Sequence, residues 1–84
     1  MDSNSPMWIL GFFVKDKKNW VIHHEIVEVD GAKVPDRERA NLITERLNQL
    51  YQKYPLGEYD VFSQTFTSVE SLYRSWPELR PSTN

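Results

Sequence analysis

Residues 36–54, DRERANLITERLNQLYQKY, predict one long helix around which the rest of the chain is organised. Apolar side chains recur at steps of three and four residues, so they share one stripe of a helix with about 3.6 residues per turn. These side chains are Ala40, Ile43, Leu47, Leu50, Tyr51 and Tyr54. Pro35 and Asp36 favour a start here, and Pro55 and Gly57 favour a stop. Because such a helix needs tertiary packing to be stable in water, the remaining chain must supply an apolar surface.

Three stretches rich in β-forming residues surround the helix and predict a small sheet. They span residues 7–14, 20–29 and 58–66. A second, short amphipathic helix follows, and its apolar side chains are Val69, Leu72, Tyr73 and Trp76. Thr67 and Glu70 have the spacing of a capping box at its start.

The element order ββαβα predicts the fold class, an α+β domain with a three-stranded sheet in the order 2-1-3. A right-handed crossover through the long helix makes the third strand parallel to the second. Placing the third strand beside the first puts the first strand in the centre, which explains why residues 7–14 are apolar at nearly every position. The sheet packs against the long helix and the short C-terminal helix. The predicted domain spans residues 7–80, with flexible tails at 1–6 and 81–84.

Composition excludes several classes of protein. Eighty-four residues suffice for one small domain, and the absence of cysteine rules out disulfides and thiolate chemistry. The net charge of −2 offers no broad basic surface for duplex nucleic acid. No apolar run approaches the roughly 18–20 residues that span a bilayer, and the N-terminal residues lack the charge pattern of a signal peptide. We therefore expect a cytoplasmic protein with no membrane segment.

The register of the first hairpin decides which side chains share a face of the sheet. A loop of two or four residues places Ile9 opposite Ile26 and Phe13 opposite Ile22, on a face assigned to the long helix. The other face carries Trp8, Leu10, Phe12 and Val14, opposite Val27, Glu25, His23 and Val21. A loop of three or five residues would change this pairing, because a slip of one residue moves side chains to the other face.

The second face predicts an interaction surface. Burying one large apolar side chain contributes about 1.5–3 kcal/mol, so either the short helix or another chain should cover this face. We therefore interpret the chain as a small protein–protein interaction module of the adaptor, regulator or inhibitor type. Its predicted partner is another protein or a second copy of itself, as a homodimer, with strand-edge pairing as another route. The predicted partner-binding residues are Trp8, Phe12, Val14 and Val27, with Leu42 and Trp76 as secondary candidates.

His23, His24 and Glu25 form the one cluster with potential chemistry. On a strand, His23 and Glu25 share a face while His24 points the other way, so three or four metal ligands do not converge. The serines lie in no nucleophile-elbow context, and the glycines form no phosphate-binding loop. We therefore predict no enzyme activity, no metal site and no cofactor.

Single-stranded nucleic-acid binding is the alternative function. It would use aromatic sheet residues to stack bases and a lysine-rich turn to contact phosphates. The residues concerned are Trp8, Phe12, Trp20, Lys15, Lys17 and Lys18. The negative net charge and the absence of an RRM aromatic motif argue against this alternative.

Overall fold

The computed structural model describes residues 7–81, and they form a small α+β domain with the predicted order of elements. The elements are β1 (Met7–Lys15), β2 (Val21–Asp30), α1 (Asp36–Lys53), β3 (Asp60–Phe66), α2 (Val69–Ser75) and a 3-10 turn at Pro77–Leu79. β1 lies between β2 and β3 and is antiparallel to both, which confirms the order 2-1-3. Apart from Pro81, the predicted tails lie outside the described residues. Within the described chain, neither helix is long and apolar enough to cross a membrane.

The loop between β1 and β2 has neither of the two lengths, two or four residues, on which the predicted register was based. The backbone amide of Asp16 donates a hydrogen bond to the carbonyl of Trp20 (2.9 Å), so three residues separate the two strands. The Asp16 carboxylate accepts hydrogen bonds from the amides of Lys18 (2.9 Å) and Trp20 (3.0 Å). Asn19 has a φ of 71°, a left-handed conformation that asparagine tolerates better than most residues.

A β-bulge at Ile22 moves the register once more. Lys15 pairs with Val21 and Val14 pairs with His23, so Ile22 is an extra residue on β2. The predicted residue pairs were therefore wrong, because the loop and the bulge together displace them by two positions. A displacement of two keeps side chains on their original faces, so the faces from His23 onward are as predicted. Val21 changes face and joins the other apolar cluster.

α1 covers the face of the sheet that the sequence analysis left over. Phe12 and Val14 of β1 are 1% and 0% exposed and pack with Leu50 of α1. The partly buried α1 residues of this cluster are Ile43, Leu47 and Tyr51, with Tyr54 just after the helix. The assignment of the long helix to the face of Ile9 and Phe13 was therefore wrong.

α2 covers the opposite face, and its close contact with β1 explains why the long helix does not lie there. Leu72 is fully buried with Ile9 and Phe13, and it lies directly over Gly11. Because Gly11 has no side chain, a short helix can approach β1 closely there. The larger side chains of the other face meet the longer helix instead.

The buried side of α1 is rotated from the predicted stripe. Ala40 is exposed, whereas Arg39 and Arg46 are partly buried. The guanidinium of Arg39 lies 4.6 Å from the centroid of the Trp8 ring, a cation–π arrangement that also covers part of the indole. Leu42, a secondary candidate for partner binding, lies away from the buried side of α1 and is exposed.

The start of α2 differs from the predicted capping box. Ser68, not Thr67, is the N-cap, and its hydroxyl accepts a hydrogen bond from the Ser71 amide at 3.0 Å. With the cap one residue later, Glu70 is the second helical residue rather than the third, the position from which a side chain reaches back to the cap. Glu70 forms an ion pair with Arg80 instead, at 3.2 Å.

Replacing Gly11 by alanine tests how closely α2 is seated on β1. A Cβ here would lie 2.7 Å from Cζ of Phe13 and 3.2 Å from Cδ1 of Leu72. The Phe13 ring has little room to move because it is stacked with Phe62 and Trp76, at centroid distances of 5.3 and 4.9 Å. We expect Gly11→Ala to lower the free energy of unfolding by about 1–3 kcal/mol in urea denaturation.

Gly57→Ala is the matched control for this experiment. A Cβ at Gly57 would meet no atom within 4 Å, and its φ is not positive. Alanine there should leave stability unchanged or raise it by up to about 1 kcal/mol, through the lower entropy of the unfolded chain. Equal stabilities of the two variants would contradict the close packing described for Gly11.

Candidate functional site

A polar cluster lies where β2 meets α1. The Glu25 carboxylate accepts hydrogen bonds from Arg46 Nε (2.6 Å) and Nη2 (2.5 Å), a two-pronged arrangement. His23 Nε2 lies 2.8 Å from Oε2 of the same carboxylate. Arg46 also donates to the Gln49 side chain, and the His23 ring is stacked on Tyr54 at 5.8 Å between centroids. The cluster therefore connects the outer strand to the long helix.

Opposing effects act on the pKa of Glu25. Partial burial penalises the charged carboxylate and raises the pKa, whereas hydrogen bonds from His23 and Arg46 and their positive charge lower it. The lowering effects prevail, and the pKa of Glu25 lies below its ordinary value. The ionised carboxylate thus stabilises the fold at neutral pH, and this contribution is lost as the pH falls through the folded-state pKa.

The side chains of the cluster contact one another across the boundary between α1 and the sheet. His23 and Glu25 share a face, as predicted, and each already contacts a neighbouring side chain. His24 pairs with Phe13 on β1 and belongs to the other face. Residues 7–81 contain no group of three or more His, Cys, Asp or Glu side chains placed to hold a metal ion.

The structure divides the predicted partner-binding residues into three groups. Phe12 and Val14 lie in the core beneath α1, so their side chains are not accessible to a partner. Trp8 is partly buried beneath Arg39, and Trp76 is stacked on Phe13.

Val27 and Leu42 are the two predicted residues that remain exposed, and they lie on different elements. Val27 is on β2, on the sheet face that α1 covers, whereas Leu42 lies on the outer side of α1. The predicted set is thus not brought together as one surface. The six residues instead fall into core, partly covered and exposed positions.

Three of the six exposed large apolar side chains among residues 7–81 lie on β2 or directly before it. Trp20, Ile22 and Val27 lie on this strand or immediately before it and are 69%, 47% and 38% exposed. The others among residues 7–81 are Met7, Leu42 and Leu56. β2, with one buried residue among ten, therefore carries more exposed large apolar side chains than β1 or β3.

The outer edge of β2 is open. β2 is the first strand in the order 2-1-3, and within residues 7–81 its backbone bonds outside the sheet are confined to the turn after Asp30. It is ten residues long and contains no proline. An uncovered edge of this kind exposes unpaired backbone donors and acceptors to which another strand can add.

The opposite edge of the sheet is less suited to docking. β3 has seven residues, and its exposed positions are the polar Asp60, Gln64 and Thr65. The Trp76 indole also donates a hydrogen bond of 2.8 Å to the Gln64 side chain. β2 is therefore the better candidate docking strand.

The residues named for nucleic-acid binding do not form a stacking surface. Phe12 is buried, and the Lys15 ammonium lies 5.1 Å from the centroid of the Trp76 ring, on the face that α2 covers. Trp20, Lys17 and Lys18 are exposed at the end of the hairpin. A single accessible aromatic thus remains from the predicted set.

Comparison with protein-family models, curated proteins and solved structures finds no match for this chain. The assignment of a site therefore depends on the geometry of the chain alone.

Ile22 is an accessible residue that was not predicted from the sequence. Its predicted place was on a covered face opposite Phe13, whereas the bulge leaves it half exposed. The signal that could have corrected the register lies in the turn. Asp16 can bond the amides that follow it and Asn19 tolerates a left-handed φ, which together favour a three-residue hairpin loop.

Glu25→Gln tests the contribution of the polar cluster, because it removes the charge and keeps the shape. We expect the free energy of unfolding at neutral pH to fall by about 1 kcal/mol, a modest loss because the pair is partly exposed. The difference in the free energy of unfolding between the variant and the parent chain should have its full size above about pH 5. It should shrink as the pH falls further. Urea denaturation of both chains across the acidic range measures it.

Glu45→Gln makes the same charge change as a control. Glu45 is exposed on α1 beside Arg46 and takes part in none of the ion pairs within the described chain. Its stability difference from the parent should be small at every pH. A pH-independent loss in Glu25→Gln would contradict the assigned role of the carboxylate.

Proposed function

We propose that this protein is a small, non-enzymatic protein–protein interaction module of the cytoplasm, acting as an adaptor, regulator or inhibitor. The docking surface is the β2 surface, defined here as the outer edge of β2 with the exposed side chains of Trp20, Ile22 and Val27. A partner adds to the strand edge through backbone hydrogen bonds and covers these side chains.

One observation supports the proposal: an uncovered ten-residue edge strand coincides with three of the six exposed large apolar side chains among residues 7–81. Either feature alone is common on small proteins. Together they combine the two sources of affinity in strand addition, backbone pairing and burial of alternate side chains. The proposal moves the partner site from the face of the sheet, where Phe12 and Val14 are buried, to its edge.

Charged substitution at the β2 surface tests the proposal. Ile22→Asp and Val27→Asp each place a carboxylate where a partner would bury an apolar group, which costs binding free energy. Tagged parent and variant chains serve as baits in lysate of the native host, with quantitative mass spectrometry of the captured proteins. We expect at least one protein that the parent retains to be lost from both variants by about tenfold or more, or about 1.4 kcal/mol.

Leu56→Asp is the control bait. Leu56 is 65% exposed in the connection between α1 and β3, outside the β2 surface. This variant should retain the same proteins as the parent, and circular dichroism should show that all variants are folded. Identical captured sets for all four baits would refute the assignment of the site.

Single-stranded nucleic-acid binding is tested separately, by fluorescence anisotropy of labelled mixed-sequence oligonucleotides over a salt series. We expect no measurable binding even at low salt, because Trp20 is the one broadly exposed aromatic of the set and the net charge is −2. Binding that weakens steeply with salt and is lost in Lys17→Glu would favour the alternative function instead.

A further inference from the structure

We propose that the partner on the β2 surface is a second copy of this chain. The two β2 strands pair antiparallel about a two-fold axis that lies midway between the two copies of Ile26. The inference rests on the proposed function and specifies the partner and the register. The product is one continuous sheet of six strands with both α1 helices on the same side, a size common among sheets.

Symmetry restricts the registers that such a pair can adopt. A two-fold axis perpendicular to the sheet carries each face onto itself, so a residue can oppose only residues on its own face. Side chains alternate between the faces along a strand, so the two paired residues must be separated by an even number of positions. One residue therefore lies on the axis opposite its own copy, and the candidates are the residues near the middle of β2.

Cross-strand pairing selects Ile26 among these candidates. Glu25 on the axis would oppose two carboxylates, and His24 on the axis would oppose two imidazoles. Val27 on the axis would place Glu28 against Ile26 and Glu25 against Val29, whereas Ile26 on the axis leaves only Glu25 opposite an apolar side chain. With Ile26 on the axis, the centre is an apolar pair, and His24 lies opposite Glu28 of the second copy on both sides of it. Histidine can donate a hydrogen bond to a carboxylate in either protonation state.

The other face of the strand accepts the same register. There Val27 lies opposite Glu25 of the second copy, whose carboxylate is already held by Arg46 and His23. The methylene groups of Glu25 can therefore cover part of Val27, which is 38% exposed in the single chain. Val29 lies opposite His23. No like charges oppose each other between residues 23 and 29.

The bulge sets one limit of the paired segment. Ile22 interrupts the regular alternation of the strand, so continuous pairing runs from His23 to Val29 and to the equivalent residues of the second copy. Ile22 and Trp20 lie beyond this segment at both ends of the interface. They can close over the ends of the paired strands, where apolar cover excludes water.

Single cysteines test the register directly, because the chain contains no cysteine of its own. Ile26→Cys should form a disulfide-linked dimer under mild oxidation, since the two sulfurs would meet at the axis. His24→Cys alone and Glu28→Cys alone should not, because each lies four positions from its own copy, roughly 13 Å along the strand. An equal mixture of His24→Cys and Glu28→Cys should form the mixed dimer.

We expect the Ile26→Cys dimer and the mixed dimer to form about tenfold or more faster than dimers of His24→Cys alone, because pairing raises the effective thiol concentration. Non-reducing electrophoresis over a time course measures the rates, and thermal unfolding checks that each variant is folded. Equal rates for all samples would overturn the register. Fast linkage in His24→Cys alone would do the same by placing that residue on the axis.

Sedimentation equilibrium of the parent and of Val27→Asp, over a wide concentration range, separates this inference from the proposed function. Dimer formation by the parent, weakened about tenfold or more in the variant, supports self-pairing. A parent that stays monomeric overturns self-pairing. If such a monomer still captures a host protein through Ile22 and Val27, the interaction module stands and only its partner is different.

Discussion

The burial of β1 on both faces is the constraint on which the rest of the structure depends. Six consecutive residues, Ile9–Val14, are buried, with alternate side chains directed toward α1 and α2. Each helix needs tertiary packing to be stable in water, because helix stability in proteins comes mostly from packing of the amphipathic face, and α2 is only seven residues long. Each becomes stable by covering one side of the same strand. The sheet in turn needs both helices, since a three-stranded sheet with a bare apolar face would associate.

This arrangement decides where accessible apolar surface remains. The two helices cover the central strand, and three of the six exposed large apolar side chains among residues 7–81 lie on the outer strand or directly before it. β2 has a single fully buried residue, Val29, whereas Ile22 and Val27 are exposed. Residues 7–81 supply one helix for each face of the sheet and no further element that covers the outer edge of β2. An open edge with apolar neighbours is the physical basis of the proposed interaction with another chain.

The Glu25–Arg46 pair adds a polar contact with α1 to the apolar contacts of β2. An outer strand held on one side has weaker constraints than a central one, and a mobile edge would present no defined surface. The two-pronged contact from α1, with His23 stacked on Tyr54, ties the middle of β2 to the helix. We infer that this contact keeps the outer strand in a single position while its backbone edge faces solvent. A preorganised edge loses less entropy when a partner binds.

The sequence by itself determined the order of the elements, the central place of β1 and the long helix, because these follow from local signals. Periodicity, turn residues and an uninterrupted apolar run act over short stretches of chain. Which helix covers which face was decided only by tertiary structure, since it depends on the fit of Leu72 over Gly11 and of Arg46 against Glu25, residues far apart in the chain.

The candidate site was likewise determined partly by local sequence and partly by tertiary structure. Val27 was predicted, whereas exposure of Ile22 arose from a bulge that shifts the register, and Phe12 and Val14 were lost to the core once α1 lay on their face. Period-two alternation shows which side chains share a face, but only packing between distant segments decides which face is covered.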